Sequence, residues 1–264
     1  TDADNLCAAF AQVPHKSAAQ EMFMSAASPG VVSLFFRNDH YKDHETYLYA
    51  IAEVMRHEYE SVAKAGIVLQ IDCPDLAMGR HIQYADLPLP EFRKRAQMHV
   101  EALNHALANI PAEQLRMHVC WGNYEGPHHF DIGLEKILDV VLKAKPATVL
   151  FEGANPRHAH EWEVWAKAGR EGKIADHKVL APGVLDTVNN FIEHPRLVAQ
   201  RLLAARDIPG QFYLGVRRGC ERTDDPTGLS AHAWLQCGDT IVNGKRGHEQ
   251  FTVVSTFSWG GAHG

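Results

Sequence analysis

Apolar positions along the chain switch between two periods. Short β-branched runs at residues 31–36, 67–72, 116–121, 148–152, 178–185 and 211–216 predict strands. Between them the apolar residues return at helical spacing. Residues 43–65 place Tyr47, Ile51, Val54, Met55 and Val62 on one face, and residues 89–110 do the same with Phe92, Ala96, Val100, Leu103 and Leu107. Residues 133–144 repeat the stripe with Leu134, Ile137, Leu138, Val141 and Leu142. Residues 194–205 give a shorter helix opened by Pro195. Strands alternating with amphipathic helices predict βαβ units and a parallel sheet. From Glu221 to Gly264 the periodicity weakens, and that stretch is expected to be irregular.

The polar residues refine this picture. Asp72, His118, Cys120, Glu152 and Asp186 fall at or just past the carboxyl ends of successive predicted strands. A (β/α)8 barrel builds its catalytic face from such ends, whereas an open sheet gathers them at its switch point. The expected fold is therefore an α/β (β/α)8 barrel, a single domain over residues 1–264 that lacks its first strands. No G-x-G-x-x-G follows a strand and no G-x-x-x-x-G-K-[ST] occurs, which removes the main support for dinucleotide and P-loop readings.

Composition narrows the class. Lys and Arg number 26 against 32 Asp and Glu, a formal charge of −6, with 45% hydrophobic residues. That acidic balance lacks the basic face of a nucleic-acid binder. No apolar run approaches the roughly 20 residues of a membrane span. Five dispersed cysteines do not form the disulfide framework of a small secreted protein, so a reducing, cytoplasmic location is expected. The 17 histidines include the close pairs His128/His129 and His158/His160. Histidine is both the commonest metal ligand and the usual acid–base group near neutral pH.

His118-x-Cys120 is the sharpest local motif. Residues i and i+2 of a strand point to the same side, so an imidazole and a thiolate can converge on one ion. Zinc suits such a mixed set, and three protein ligands with an open position make a catalytic site. Glu152 ends the next strand and is a candidate oxygen ligand; Cys220 follows the last clear strand and is a candidate fourth. The competing reading makes Cys120 a buried small hydrophobe and His118 a core histidine. In Asp72-Cys73-Pro74-Asp75 the proline ends the ladder and is expected to expose both carboxylates, for amine recognition or general-base work. Alternatively, Asp75 caps the segment that follows. The loop at 121–129, with Asn123, is a candidate pocket lining, and Arg157 a candidate partner for a substrate carboxylate.

In order and spacing these motifs resemble the cobalamin-independent methionine synthase and uroporphyrinogen decarboxylase superfamily, in its short single-barrel branch. The resemblance rests on 58–59, 66–77, 117–123, 151–157 and 182–186, within about residues 21–216, and leaves 221–264 as a divergent tail. It implies Zn2+ held by His118, Cys120, Glu152 and a later cysteine, for which Cys220 stands two residues beyond the gapless position occupied by Arg218. It also implies that Asp72 binds a substrate amino group. Val188 replaces a family histidine, so proton delivery is expected to differ or to come from elsewhere, with His194 a candidate. Asp186, at the end of the matching 182–186 stretch, is the other catalytic candidate. The function so implied is zinc-dependent methyl transfer to a thiol such as homocysteine, with small-molecule thiol and methyl donor as partners. A thiol of ordinary pKa, about 8.5, is ionised by such an ion and becomes nucleophilic. Alkyl transfer to a coenzyme-M-type thiol, a metal-free decarboxylase-like barrel and an inactive barrel are the alternatives. Homo-oligomerisation stays open.

Overall fold

The computed structural model describes residues 1–13, 21–123, 126–205, 210–218, 229–237, 240–243, 249 and 252–259. The chain divides into two compact units, residues 1–183 with 187–189, and residues 184–186 with 190–264.

The first unit runs α1 (Asp2–Phe10), β1 (Phe23–Ala27), α2 (Pro29–Phe35), α3 (His44–Lys64), β2 (Val68–Asp72), α4 (Gly79–Ile82) and α5 (Leu89–Ala106). It continues with β3 (Leu115–Val119), α6 (Leu138–Val141), β4 (Thr148–Glu152), α7 (Trp162–Arg170) and β5 (Val179–Gly183). Its five strands form one parallel sheet in sequential order, β1-β2-β3-β4-β5. The register sets Leu69 opposite Leu115, Ile71 opposite Met117, Met117 opposite Val149 and Val119 opposite Phe151. All of these are buried. Leu48, Ala52, Tyr59 and Val62 of α3 and Phe92, Ala96, Val100 and Leu103 of α5 belong to the same core. The alternate positions, Gln70, Asp72, Arg116, His118, Leu150 and Glu152, are only partly buried. One sheet face is thus the core, and the other carries the polar tips.

Local signals explain where elements begin. Asp43 caps α3, its side chain accepting from the Thr46 N–H. Of residues 31–36, expected as a strand, 31–35 lie in helix α2 and Phe36 is its extended C-cap. Ser28 accepts from the Val31 N–H and Pro29 occupies the first turn, so a helix-start signal overrides the β-branched run. The preceding strand, β1, escapes the apolar pattern because Phe-Met-Ser-Ala-Ala contains no β-branched residue. The helix expected at 133–144 is a 3-10 turn, Leu134–Lys136, followed by the short α6; Ile137 between them has φ −128°.

The second unit contains α8 (Pro195–Ala205), β6 (Gly210–Arg218), β7 (Leu229–Cys237), β8 (Thr240–Asn243) and β9 (Thr252–Trp259). These four strands form an antiparallel sheet in the order β8-β7-β6-β9. The run at 211–216 is a strand as expected, but not a sixth parallel one. The tail is not irregular either: Leu229, Ala231, Ala233, Leu235 and Cys237 recur at every second position, the strand period rather than the helical one. The α/β class holds, whereas an eight-stranded parallel barrel is not formed by the described residues.

Gly30 fits where a larger residue does not. A Cβ there would lie 1.9 Å from Asp75 Oδ2 and 2.7 Å from His99 Nδ1, both on buried side chains. Alanine's helix preference over glycine, about 1 kcal/mol, is set against overpacking of about 1–3 kcal/mol. Gly30→Ala is expected to lower stability, read as a decreased urea midpoint at unchanged slope. An unchanged midpoint would show that Asp75 moves aside freely.

Candidate functional site

The parallel register brings four predicted site residues to one edge. Asp72 ends β2 opposite His118 of β3. Glu152 ends β4, and Cys120 lies just past β3. His118 Nε2 stands 3.9 Å from Asp72 Oδ1, with side chains 33% and 51% exposed. Glu152 Oε2 accepts from Asn155 Nδ2 at 2.8 Å. After Cys120 the chain turns through Gly122, whose φ of +93° favours glycine.

This edge is electronegative. Burial pushes the Cys120 thiol up to about 12, against a Gly122 N–H that favours the thiolate, and Glu152, Asp72 and Asp75 push it further. Asp72 is raised by its own burial and by Asp75, with His118 opposing. Cys120 is consequently a thiol at neutral pH and a weak nucleophile unless a cation stabilises its thiolate.

Other expected site residues are placed differently. Asn123 is exposed, and its Oδ1 accepts from Thr187 Oγ1 at 3.3 Å. Arg157 is partly buried, its backbone N–H donating to Asn155 Oδ1. Asp186 and His194 belong to the second unit. The Asp186 N–H donates to Glu193 Oε2 at 2.8 Å, and His194 Nδ1 accepts from the Arg196 N–H at the start of α8. Cys220 lies outside the described residues.

Asp75 is not exposed by Pro74. It is 2% exposed, accepts from Ser28 Oγ at 2.8 Å and meets His99 Nδ1 at 2.8 Å. His99 Nε2 stands 3.1 Å from His44 Nε2, and the Tyr84 hydroxyl lies 3.3 and 3.4 Å from the two rings. This chain leads from the end of β1 to the partly exposed His44.

A second cluster centres on Asp131. Its Oδ2 stands 2.6 Å from His128 Nδ1 and 2.7 Å from His158 Nε2, and its Oδ1 lies 2.9 Å from His81 Nδ1. Trp121 stacks on the His158 ring at 4.0 Å and 13°. Burial disfavours charge on His158, but Asp131 and Glu161 outweigh it and raise its pKa to about 9. Burial likewise opposes ionisation of Asp131, yet His158 and His128 hold its pKa below the usual range. Among the described residues, His128, Asp131 and His158 are the group whose ligating atoms all lie within 4.8 Å of one another; His118, Cys120 and Glu152 do not converge in this way. The histidine pairs and the His128-x-x-Asp131 spacing are the sequence signal for this cluster. Nothing local marks His81 as its neighbour.

Residues 196–256 match the family model of the Transglutaminase-like superfamily, over about a quarter of the chain. No curated protein matches the sequence. The family match overturns the resemblance to methionine synthase and uroporphyrinogen decarboxylase, and with it zinc-dependent methyl transfer and a place in methionine biosynthesis. Short motifs such as H-x-C and Asp-Cys-Pro sit where any parallel sheet presents polar tips, so they mark strand ends more specifically than they mark a family. The matched superfamily is named for an enzyme; an enzymatic role survives in that coarse form, without the methyl transfer. No described helix is long and apolar enough to cross a membrane.

His44 supplies a pH test. Its pKa falls to about 4, through burial first and then the neighbouring His99 and Arg95 charges. The fold therefore favours neutral imidazole. The resulting stability is present above the unfolded value of about 6.5 and is lost as pH falls through about 4. His44→Gln is expected to flatten the fall in urea midpoint across that window. An identical pH profile would refute the assignment.

Proposed function

We propose that the chain is an enzyme of thiol-dependent acyl transfer, its chemistry carried by the unit that holds residues 190–264. The observation behind this reading is the Transglutaminase-like match at 196–256, which begins in α8 and extends into β9. The matched segment contains two thiols, Cys220 and Cys237, and two histidines, His232 and His248. A cysteine nucleophile activated by a neighbouring base attacks an acyl carbonyl, expels the leaving amine and passes the acyl group to an amine or to water. Cys220 and Cys237 are the nucleophile candidates; His232 and His248 are the base candidates.

The test is incorporation of a fluorescent primary amine into a glutamine-rich acceptor protein, with ammonia release followed in parallel for the hydrolytic branch. Replacing the true nucleophile by alanine is expected to lower the rate by at least about 10³-fold. A wild-type chain inactive in both assays, or Cys220→Ala and Cys237→Ala both fully active, would rule the reading out.

A second reading concerns the first unit. Nitrogen, sulfur and oxygen donors on adjacent strand tips, in an electronegative and partly exposed setting, are the donor types of a divalent-cation site at His118, Cys120 and Glu152. Their ligating atoms would have to draw together around the ion. Zinc fits that donor set and would supply Lewis-acid activation of a polar substrate. Asp72, beside His118, would orient a basic group or accept a proton, and Asn155 holds Glu152 in place. His118→Ala is expected to remove one equivalent of bound zinc per chain, measured by elemental analysis after exhaustive dialysis. Undiminished zinc in that variant would exclude these ligands.

A further inference from the structure

We infer that His128, Asp131 and His158 form a buried zinc site that fastens together the loops following β3 and β4. The inference does not depend on either functional reading. Both loops lack long regular elements, yet Asp131 lies where they meet. His128 comes from its own loop, His158 from the next, and His81 from α4. The three ligand side chains are 3%, 7% and 5% exposed.

Two independent observations point to a cation. First, one nitrogen from each of two imidazoles and one carboxylate oxygen all lie within 4.8 Å of one another. Imidazole and carboxylate donors together suit zinc, with metal–ligand distances of about 2.0–2.2 Å. Second, Asp131 Oδ1 is buried, and its 2.9 Å contact with His81 Nδ1 lacks the geometry of a hydrogen bond. A buried carboxylate oxygen in that state is costly, and a cation would satisfy it.

The surroundings match what metal-bound histidines require. A ligating imidazole usually turns its other nitrogen to a carboxylate that fixes its orientation. His158 Nδ1 faces Glu161 Oε1 at 3.7 Å, and both Glu161 oxygens are themselves held by the Leu134 N–H at 3.1 Å. Trp121 covers one face of the ring, and its Nε1 donates to the Ile132 carbonyl at 2.6 Å. Zinc here replaces the hydrogens that the two imidazoles share with Asp131. Because its three ligand side chains are almost fully buried, its role is to hold the loops, not to bind substrate.

The test uses the full chain, stripped with a chelator and titrated with zinc alone, together with cobalt(II) as a spectroscopic probe. The double variant His118→Ala/Cys120→Ser is expected to keep one zinc equivalent. Its cobalt form should show d–d bands without a near-ultraviolet thiolate charge-transfer band. Zinc should still raise its melting temperature. Asp131→Asn, close in shape, is expected to lose that equivalent and the zinc-dependent shift. If the double variant binds no zinc, the buried site is overturned, even when the wild type holds one ion at the strand tips. If Asp131→Asn folds and binds as much zinc as the wild type, the site is likewise overturned. Loss of zinc in Asp131→Asn alone, with none lost in the strand-tip variant, supports the buried site and removes the exposed one. Should Asp131→Asn fail to fold, the double variant decides alone.

Discussion

The parallel register of β2, β3 and β4 is the constraint on which the chemistry of the first unit depends. Leu69, Ile71, Leu115, Met117, Val119, Val149 and Phe151 must face the core they share with α3, α5 and Trp165 of α7, because water cannot be left against that much apolar surface. Side chains alternate along a strand. Fixing those residues inward therefore fixes Asp72, His118 and Glu152 on the opposite face. A slip of one residue in any strand would exchange the two sets and bury the polar tips instead. The polar edge is thus a consequence of the core, not a feature added to it.

That constraint separates two kinds of polar environment. At the strand tips, Asp72 and Glu152 crowd negative potential around Cys120 in a partly exposed edge, and neither the thiol nor Asp72 ionises as readily as in water. Asp75 and Asp131, by contrast, are almost fully buried and are met by histidines at hydrogen-bonding distance. Burial of a charge is tolerated only with such partners. The same physics makes the deep carboxylates fixed points of the structure and leaves the strand-tip donors available to a cation or a substrate.

What the sequence discloses follows from how local each signal is. Helices α3 and α5 were legible as elements because long 3.6-residue stripes need no knowledge of partners. The face read for α3 was displaced: Val54 is 70% exposed, and Leu48, Ala52, Tyr59 and Val62 are the buried positions. Strands β2 to β5 were legible as short apolar runs, and the placement of Asp72, His118 and Glu152 at their ends followed. Residues 31–36 misled because β-branching is a weak preference beside a Ser cap followed by proline. The second unit misled because period-two alternation with alanines, as in 229–237, carries little hydrophobic contrast. The Asp131 cluster joins His81, His128 and His158 across three segments, a meeting that only tertiary structure creates. The short motifs were also legible, but they identified strand ends and were over-read as a family.

The thiols sharpen the division of labour between the units. Cys73 is fully buried, and burial, with Asp75 and Asp72, drives its pKa well above the ordinary range. Cys120 is raised to about 12 by burial and surrounding carboxylates. A nucleophilic cysteine needs the reverse, an electropositive setting that favours thiolate. Neither thiol at the carboxyl edge of the parallel sheet meets that requirement without a cation. Cysteine-based acyl transfer in this chain is therefore better sought at Cys220 or Cys237, within the segment that matches the Transglutaminase-like superfamily. The same electronegative edge that disqualifies Cys120 as a free nucleophile is what suits it to ligate a metal.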